Sequence, residues 1–141
     1  MKIRAGFAVV ALALLGLAAR EASACGYCVE DKIASTYDHA VVTRALAQGH
    51  HVAFFHLDGL APPQESLRRA LEEAVASTPG VDKGSARISL DTLTVSLSFD
   101  PRRVSLAAVN ARLDRKLSAH KLSFMPLRVM ERPADLKSVK R

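Results

Sequence analysis

The sequence predicts an α+β fold, a four-stranded sheet with two helices on one face, and three observations lead to it. Val95, Leu97 and Phe99 alternate with Ser96 and Ser98, the period of a half-buried strand. Leu67, Leu71, Ala74, Val75 and Thr78 recur at helical spacing between Pro62-Pro63 and Pro79-Gly80. Strand-like and helix-like segments then follow one another as β-α-β-β-α-β, behind one leading helix.

Taken in order, Val29, Ile33, Tyr37, Val41 and Ala45 recur every four residues, which predicts one helix from Val29 to Ala47 stopped by Gly49. His51 to Leu57 is short and aromatic and is bounded by Asp58-Gly59, as a strand would be. The helix of Leu67 to Thr78 comes next. Ile88 and Leu90 share a face within Ala86 to Leu90, and a tight Asp91-Thr92 link joins them to the Val95–Phe99 strand as a hairpin. Asp100-Pro101 ends that strand. Val104, Ala108, Val109, Ala111 and Leu113 predict a further helix, followed by a loop around Ser118 to Lys121. Leu122 to Met130 is the last strand, and Pro126 within it belongs at a sheet edge, where its missing N–H costs no ladder bond.

This order is the split pattern of a ferredoxin-like sandwich, which implies the strand order 4-1-3-2. The chain divides into a leading segment over 25–49, the sandwich over 50–131, and a basic tail over 132–141 expected to be flexible. Ala53, Phe55, Leu57, Ile88, Leu90, Val95, Leu97 and Phe99 fall on the face that the two sandwich helices cover. On the other face Thr94, Ser96 and Ser98 can meet water. Val52 and Phe54 cannot, so the leading helix is expected to cover them.

Met1 to Ala24 reads as an export signal. Lys2 and Arg4 precede an apolar stretch from Ala5 to Ala19, and Ala22-Ser23-Ala24 is a small-residue cleavage site. The stretch is shorter than the roughly 20 residues that a bilayer span needs. Cleavage after Ala24 implies a periplasmic or secreted protein with no membrane span in its mature form. A lipoprotein acylated at Cys25 is the alternative, but Ala22 heads the would-be lipid-attachment box where a large aliphatic residue is usual, Arg20 and Glu21 lie close by, and acylation would consume one thiol of the pair. The mature chain keeps 17 basic and 13 acidic residues, a net +4. The basic residues are scattered and aromatics are few, so no stacking platform for nucleic acid is present.

Both cysteines of the chain lie in Cys25-Gly26-Tyr27-Cys28, at the start of the leading helix. Two thiolates at that spacing can hold one soft metal ion or close as a disulfide. The unpaired N–H groups of the first helical turn favour thiolates there. Glu30 and Asp31 put negative charge beside the sulfurs and work against them.

Leu57 to Leu113 resembles a heavy-metal-associated domain, the module of soft-metal chaperones and of the amino-terminal regions of copper-transporting ATPases. The matching residues are Leu57-Asp58-Gly59, the helix positions Leu71, Ala74 and Val75, the turn Pro79-Gly80-Val81, then Phe99-Asp100-Pro101 with Val104-Ser105, and Val109 and Leu113. The chain departs from the family at the metal loop, where Gln64 and Leu67 occupy the two cysteine positions. The resemblance therefore implies a domain whose own site is missing. Cys25-Gly26-Tyr27-Cys28-Val29, with Ile33 after it, looks like the family's ligand segment displaced onto the leading helix.

Three readings of the pair follow. The first is binding or transfer of Cu(I), or a similarly soft ion, through Cys25 and Cys28, by ligand exchange with a metal-donor or metal-acceptor protein and without catalysis. The second is thiol-disulfide exchange, the only enzymatic reading, since the four residues also resemble the active-site motif of periplasmic disulfide isomerases. The third is a structural disulfide in a metal-silent interaction module. His39 lies 11 residues past Cys28, roughly 16 Å along one helix at about 1.5 Å per residue, too far to share an ion. His51 and His56 have opposite parity on their strand, and His50 and His120 read as structural or solvated. Ser66, Ser85 and Ser105 lack an activating motif and read as surface residues, as do Glu72 and Glu73.

Overall fold

The computed structural model of the protein describes residues 28–59 and 65–139. The predicted export signal and Cys25 lie outside the described residues. The elements are α1 (Val29–Thr36), α2 (His39–Ala47), β1 (His51–Gly59), α3 (Glu65–Ala76), β2 (Arg87–Ser89), β3 (Thr94–Phe99), α4 (Leu106–Leu117) and β4 (Leu122–Met130). The strands form one antiparallel sheet in the order β2-β3-β1-β4, the predicted 4-1-3-2 arrangement read from its other end. Pro126 lies on β4 at the sheet edge, as its missing donor requires.

On one face α3 and α4 bury the larger core. Leu67, Leu71 and Val75 from α3 and Val109, Leu113 and Leu117 from α4 pack on Ala53, Phe55 and Leu57 of β1 and Val95, Leu97 and Phe99 of β3. The ring of Phe55 meets that of Phe124 edge-on at 5.6 Å. Two glycines, one in the turn after α3 and one at the end of β1, have no substitute. A Cβ on Gly80 (φ +89°) would stand 2.4 Å from Val104 Cγ1, and one on Gly59 (φ +145°) 2.4 Å from the Lys121 carbonyl oxygen. Ser105 caps α4 by accepting from the Ala108 N–H at 3.2 Å.

The other face is covered by the leading segment, as predicted, but by two helices where the four-residue spacing predicts one. Tyr37 and Asp38 are extended, with ψ of 117° and 109°, and break the helix between them. Asp38 supplies the reason. Its Oδ1 accepts from the N–H groups of Ala40 and Val41 at 3.0 and 3.1 Å, so it caps α2 in place of continuing α1. Its Oδ2 takes Nε and Nη2 of Arg87 on β2 at 2.9 and 2.8 Å. The Val41 N–H first, and the Arg87 guanidinium second, hold the Asp38 carboxyl below its ordinary value. At the far end Gly49 (φ +73°) closes α2 with two bonds, Gly49 N–H to Leu46 O and His50 N–H to Ala45 O.

Beneath these helices a second core joins Ile33, Val42, Ala45 and Leu46 to Val52, Phe54 and Met130. Thr94, Ser96 and Ser98, expected to meet water, are instead fully covered. Their hydroxyls are satisfied by protein acceptors: Ser96 Oγ donates to the Thr36 carbonyl of α1 at 2.8 Å, Ser98 Oγ to Asp82 Oδ2 at 2.5 Å and Thr94 Oγ1 to the Thr92 carbonyl at 3.2 Å. The expected loose tail contains a 3-10 helix, Pro133–Val139. Asp135 holds its start by accepting from the Glu131 and Arg132 N–H groups, and Leu136 packs on the second core.

Ile33→Ala is expected to cost about 2–5 kcal/mol in urea unfolding, whereas Val29→Ala, at a position 46% exposed, costs under about 0.5 kcal/mol. Asp38→Ala lowers the unfolding midpoint at neutral pH. Because the Asp38 pKa is depressed in the folded chain, its contribution is complete above the ordinary value of 3.8 and disappears as pH falls below it. Wild type and Asp38→Ala therefore converge in stability in strong acid, as thermal melts across pH will show.

Candidate functional site

Cys28 is the N-cap of α1, one residue before the helix rather than within its first turn. Its backbone is extended and its carbonyl accepts the first helical bond, from the Lys32 N–H at 3.1 Å. The side chain makes no capping bond. Its Sγ, exposed to solvent, donates to Asp31 Oδ2 at 3.1 Å. The expected support from the N–H groups of the first turn is thus absent at this sulfur, and a carboxylate within the same turn accepts its proton instead. The other acid, Glu30, is turned away. Arg128 of β4 takes it with both guanidinium nitrogens, Nη1 to Oε2 at 3.1 Å and Nη2 to Oε1, and so ties the start of α1 to the sheet edge. Of the two charges expected to oppose a thiolate, one is compensated by a cation and only Asp31 faces the sulfur.

The two positions where the resembled family has its ligands differ in what can be described. Gln64 lies outside the described residues. Leu67 is 3% exposed and packs in the larger core, and its side chain has no donor atom to offer an ion. Leu67 and Cys28 also stand on opposite sides of the sheet, one under α3 and the other at the head of α1.

The histidines are spread over the molecule. His39 Nδ1 meets the Tyr37 hydroxyl at 3.2 Å. His50 bonds Asp82 Oδ2 through Nδ1 at 2.8 Å, with Asp100 Oδ2 4.0 Å from Nε2. His51 lies edge-on to Phe99 with Glu131 Oε1 4.0 Å away, and His56 bonds the Leu93 carbonyl at 3.0 Å. Among the described residues, no three or more of His, Cys, Asp and Glu converge as a metal cluster. The rise of roughly 16 Å between Cys28 and His39 assumes one helix, and the break at Tyr37 and Asp38 removes that premise. Asp82, which the sequence does not single out, joins His50 to Ser98 and anchors the loop before β2. Asp100 is held below its ordinary value, chiefly by the Arg102 side chain. Ser85, read as a surface residue, is buried, donating to the Asp82 carbonyl and accepting from the Ser98 N–H. Glu72 and Glu73 are exposed.

A groove of about 290 Å³ runs between α3 and α4, lined by Ala70, Glu73, Ser77, Lys116 and His120. It is polar, with Lys116 Nζ donating to Ser77 Oγ at 2.8 Å, and the sheet separates it from Cys28. Among the described residues no helix is long and apolar enough to cross a membrane.

No protein-family model and no curated protein matches the chain. Solved structures do. A copper-binding domain from HMA7, a P-type ATPase, is similar over 56% of this chain and 96% of its own, with 16% identity and a TM-score of 0.47. The CopZ metallochaperone is similar over 52% of this chain and 98% of its own, with 16% identity and a TM-score of 0.41.

In a Cys25→Ser chain, Cys28 is expected to react with an aromatic disulfide reagent in native buffer nearly as fast as in urea. Strong protection in the folded state would contradict its exposure.

Proposed function

We propose that the chain binds and hands on a soft metal ion, Cu(I) or one of similar softness, through the thiolates of Cys25 and Cys28. The observation that carries this reading is the exposed Cys28 sulfur at the head of a helix that is fastened to the sheet by Ile33 beneath it and by Glu30 on Arg128. A pair of thiolates suits a soft ion that accepts few ligands. The ion is cargo, and the chain's own contribution is to present the sulfurs and to accept what they release. Loading displaces the Cys28 thiol proton, and Asp31 Oδ2, already its hydrogen-bond acceptor, is the group placed to take it on the way to solvent. Because the site is open, an incoming thiolate or thioether of a donor or acceptor protein can approach the ion while it is still held, which favours transfer over storage. An export signal over Met1 to Ala24 would place this exchange in the periplasm or outside the cell.

Anaerobic titration of the reduced full chain with Cu(I) against a competing chelator tests the reading. Cys28→Ser is expected to weaken binding at least about 100-fold, or roughly 3 kcal/mol at about 1.4 kcal/mol per tenfold. Equal competition by wild type and Cys28→Ser removes it, and a reducible Cys25–Cys28 pair with disulfide reductase activity would then favour thiol exchange. Proton competition gives a second check, since affinity falls as pH is lowered.

A further inference from the structure

A second soft donor pair lies on the sheet itself. His56 on β1 and Met125 on β4 are direct partners in the antiparallel ladder and stand on the face covered by α1 and α2, but beyond the reach of that cover. Directly opposed residues bring their Cβ atoms to about 4.5–5.5 Å. Met125 is 50% exposed, one of two large apolar side chains among the described residues that project into solvent. Pro126 follows it, and the β1–β4 register shifts between Phe54 and Phe55, so the strand is locally irregular just after the methionine.

The histidine is oriented for a ligand. Its Nδ1 lies 3.0 Å from the Leu93 carbonyl oxygen. A carbonyl can only accept, so Nδ1 carries the hydrogen and Nε2 of the neutral ring is left with a free lone pair. This is the arrangement by which metal-bound imidazoles are usually held, with the distal N–H on a carbonyl and the other nitrogen on the ion. Leu93 belongs to the β2–β3 connection, on the β3 side of β1. The Nδ1 bond thus holds the ring from the β3 side, and Met125 stands on the other, β4 side of His56. The Leu93 carbonyl also accepts from the Leu57 N–H at 2.8 Å, and Leu93 itself has φ +49°, a left-handed conformation that a leucine adopts only at a cost. The β-turn is thus held in a strained form that presents its carbonyl to His56.

We infer that His56 Nε2 and Met125 Sδ form a binding site for Cu(I), separate from the cysteine pair. A thioether and an imidazole are a donor set that selects this ion over hard divalent cations, and Cu(I) is content with few ligands. Ser35 Oγ reaches Thr92 Oγ1 at 2.7 Å, and Cys28, Lys32 and Ser35 follow one flank of α1 at spacings of four and three. The Ser35 bond brings the far end of that flank to the β2–β3 turn, and Cys28 lies on the same side of the sheet as His56 and Met125. The inference does not rest on the cysteine reading, since neither sulfur of the pair is a ligand here.

The test uses the full chain with Cys25→Ser and Cys28→Ser, kept anaerobic and titrated with Cu(I) against a weak chelator. One equivalent is expected to bind, with both a sulfur and a nitrogen neighbour in its X-ray absorption spectrum. Met125→Leu preserves size at an exposed position and should weaken binding at least about tenfold and remove the sulfur signal. His56→Asn keeps an amide N–H for the Leu93 carbonyl and deletes Nε2, and should weaken binding similarly with the thermal midpoint little changed. The same two substitutions in the cysteine-containing chain should remove only a second, weaker equivalent. No binding by the cysteine-free chain, or binding that neither substitution moves, overturns the site. The cysteine reading fails on a different comparison, that of wild type with Cys28→Ser.

Discussion

Phe54 has to be kept from water. It stands on the sheet face that α3 and α4 do not touch, in one cluster with Val52 and the buried Met130, and it is completely buried. Covering such a ring is worth about 1.5–3 kcal/mol, and leaving it open on an edge-adjacent strand would expose an apolar patch beside β4. The leading segment exists in its folded form because of this face. Ile33 from α1 and Val42, Ala45 and Leu46 from α2 close over it, and the segment has no other core of its own. The sandwich and its cover are therefore one cooperative unit, with a core on each side of the sheet.

A helix laid across a sheet needs its direction fixed, and polar contacts do this where the apolar ones cannot. Arg128 holds Glu30 at one end of α1, and Ser35 and Thr36 reach Thr92 and Ser96 at the other. Asp38 then turns the chain by serving two masters, the first turn of α2 and Arg87 of β2. The ion pairs are partly exposed and contribute little stability one by one. Their effect is positional: they set where the head of α1 emerges, and hence where Cys28 is presented.

That placement governs the chemistry. Leu67 is a core residue on the α3 side of the sheet, and the donors Cys28 and Met125 stand on the other side. There they stand in open surroundings, with an exposed thiol at Cys28 and an exposed thioether at Met125. Such donors are poorly shielded and easily reached.

Much of this was legible in the residues. Period-two alternation in β3, the apolar spacing of α3 and the turn residues Pro79-Gly80 and Asp100-Pro101 determine the elements and their order, because strand and helix periodicities are local properties of the chain. The need for a cover over Val52 and Phe54 was legible for the same reason, since parity assigns side chains to faces. Where Asp38 would spend its carboxylate was not, because four-residue spacing runs unbroken through Tyr37 and only Arg87, 49 residues away, shows which competing bond wins. The burial of Thr94, Ser96 and Ser98 was equally hidden: a hydroxyl meets water or a protein acceptor with similar ease, and only the folded chain brings up the Thr92 and Thr36 carbonyls and the Asp82 carboxylate. The sequence by itself placed both cysteines just ahead of α1 and put Gln64 and Leu67 where the resembled family has its ligands. Only the tertiary structure decided what surrounds Cys28, gave Glu30 to Arg128 and set Met125 beside His56, because those partners are joined by strand register and helix docking, which no local pattern encodes.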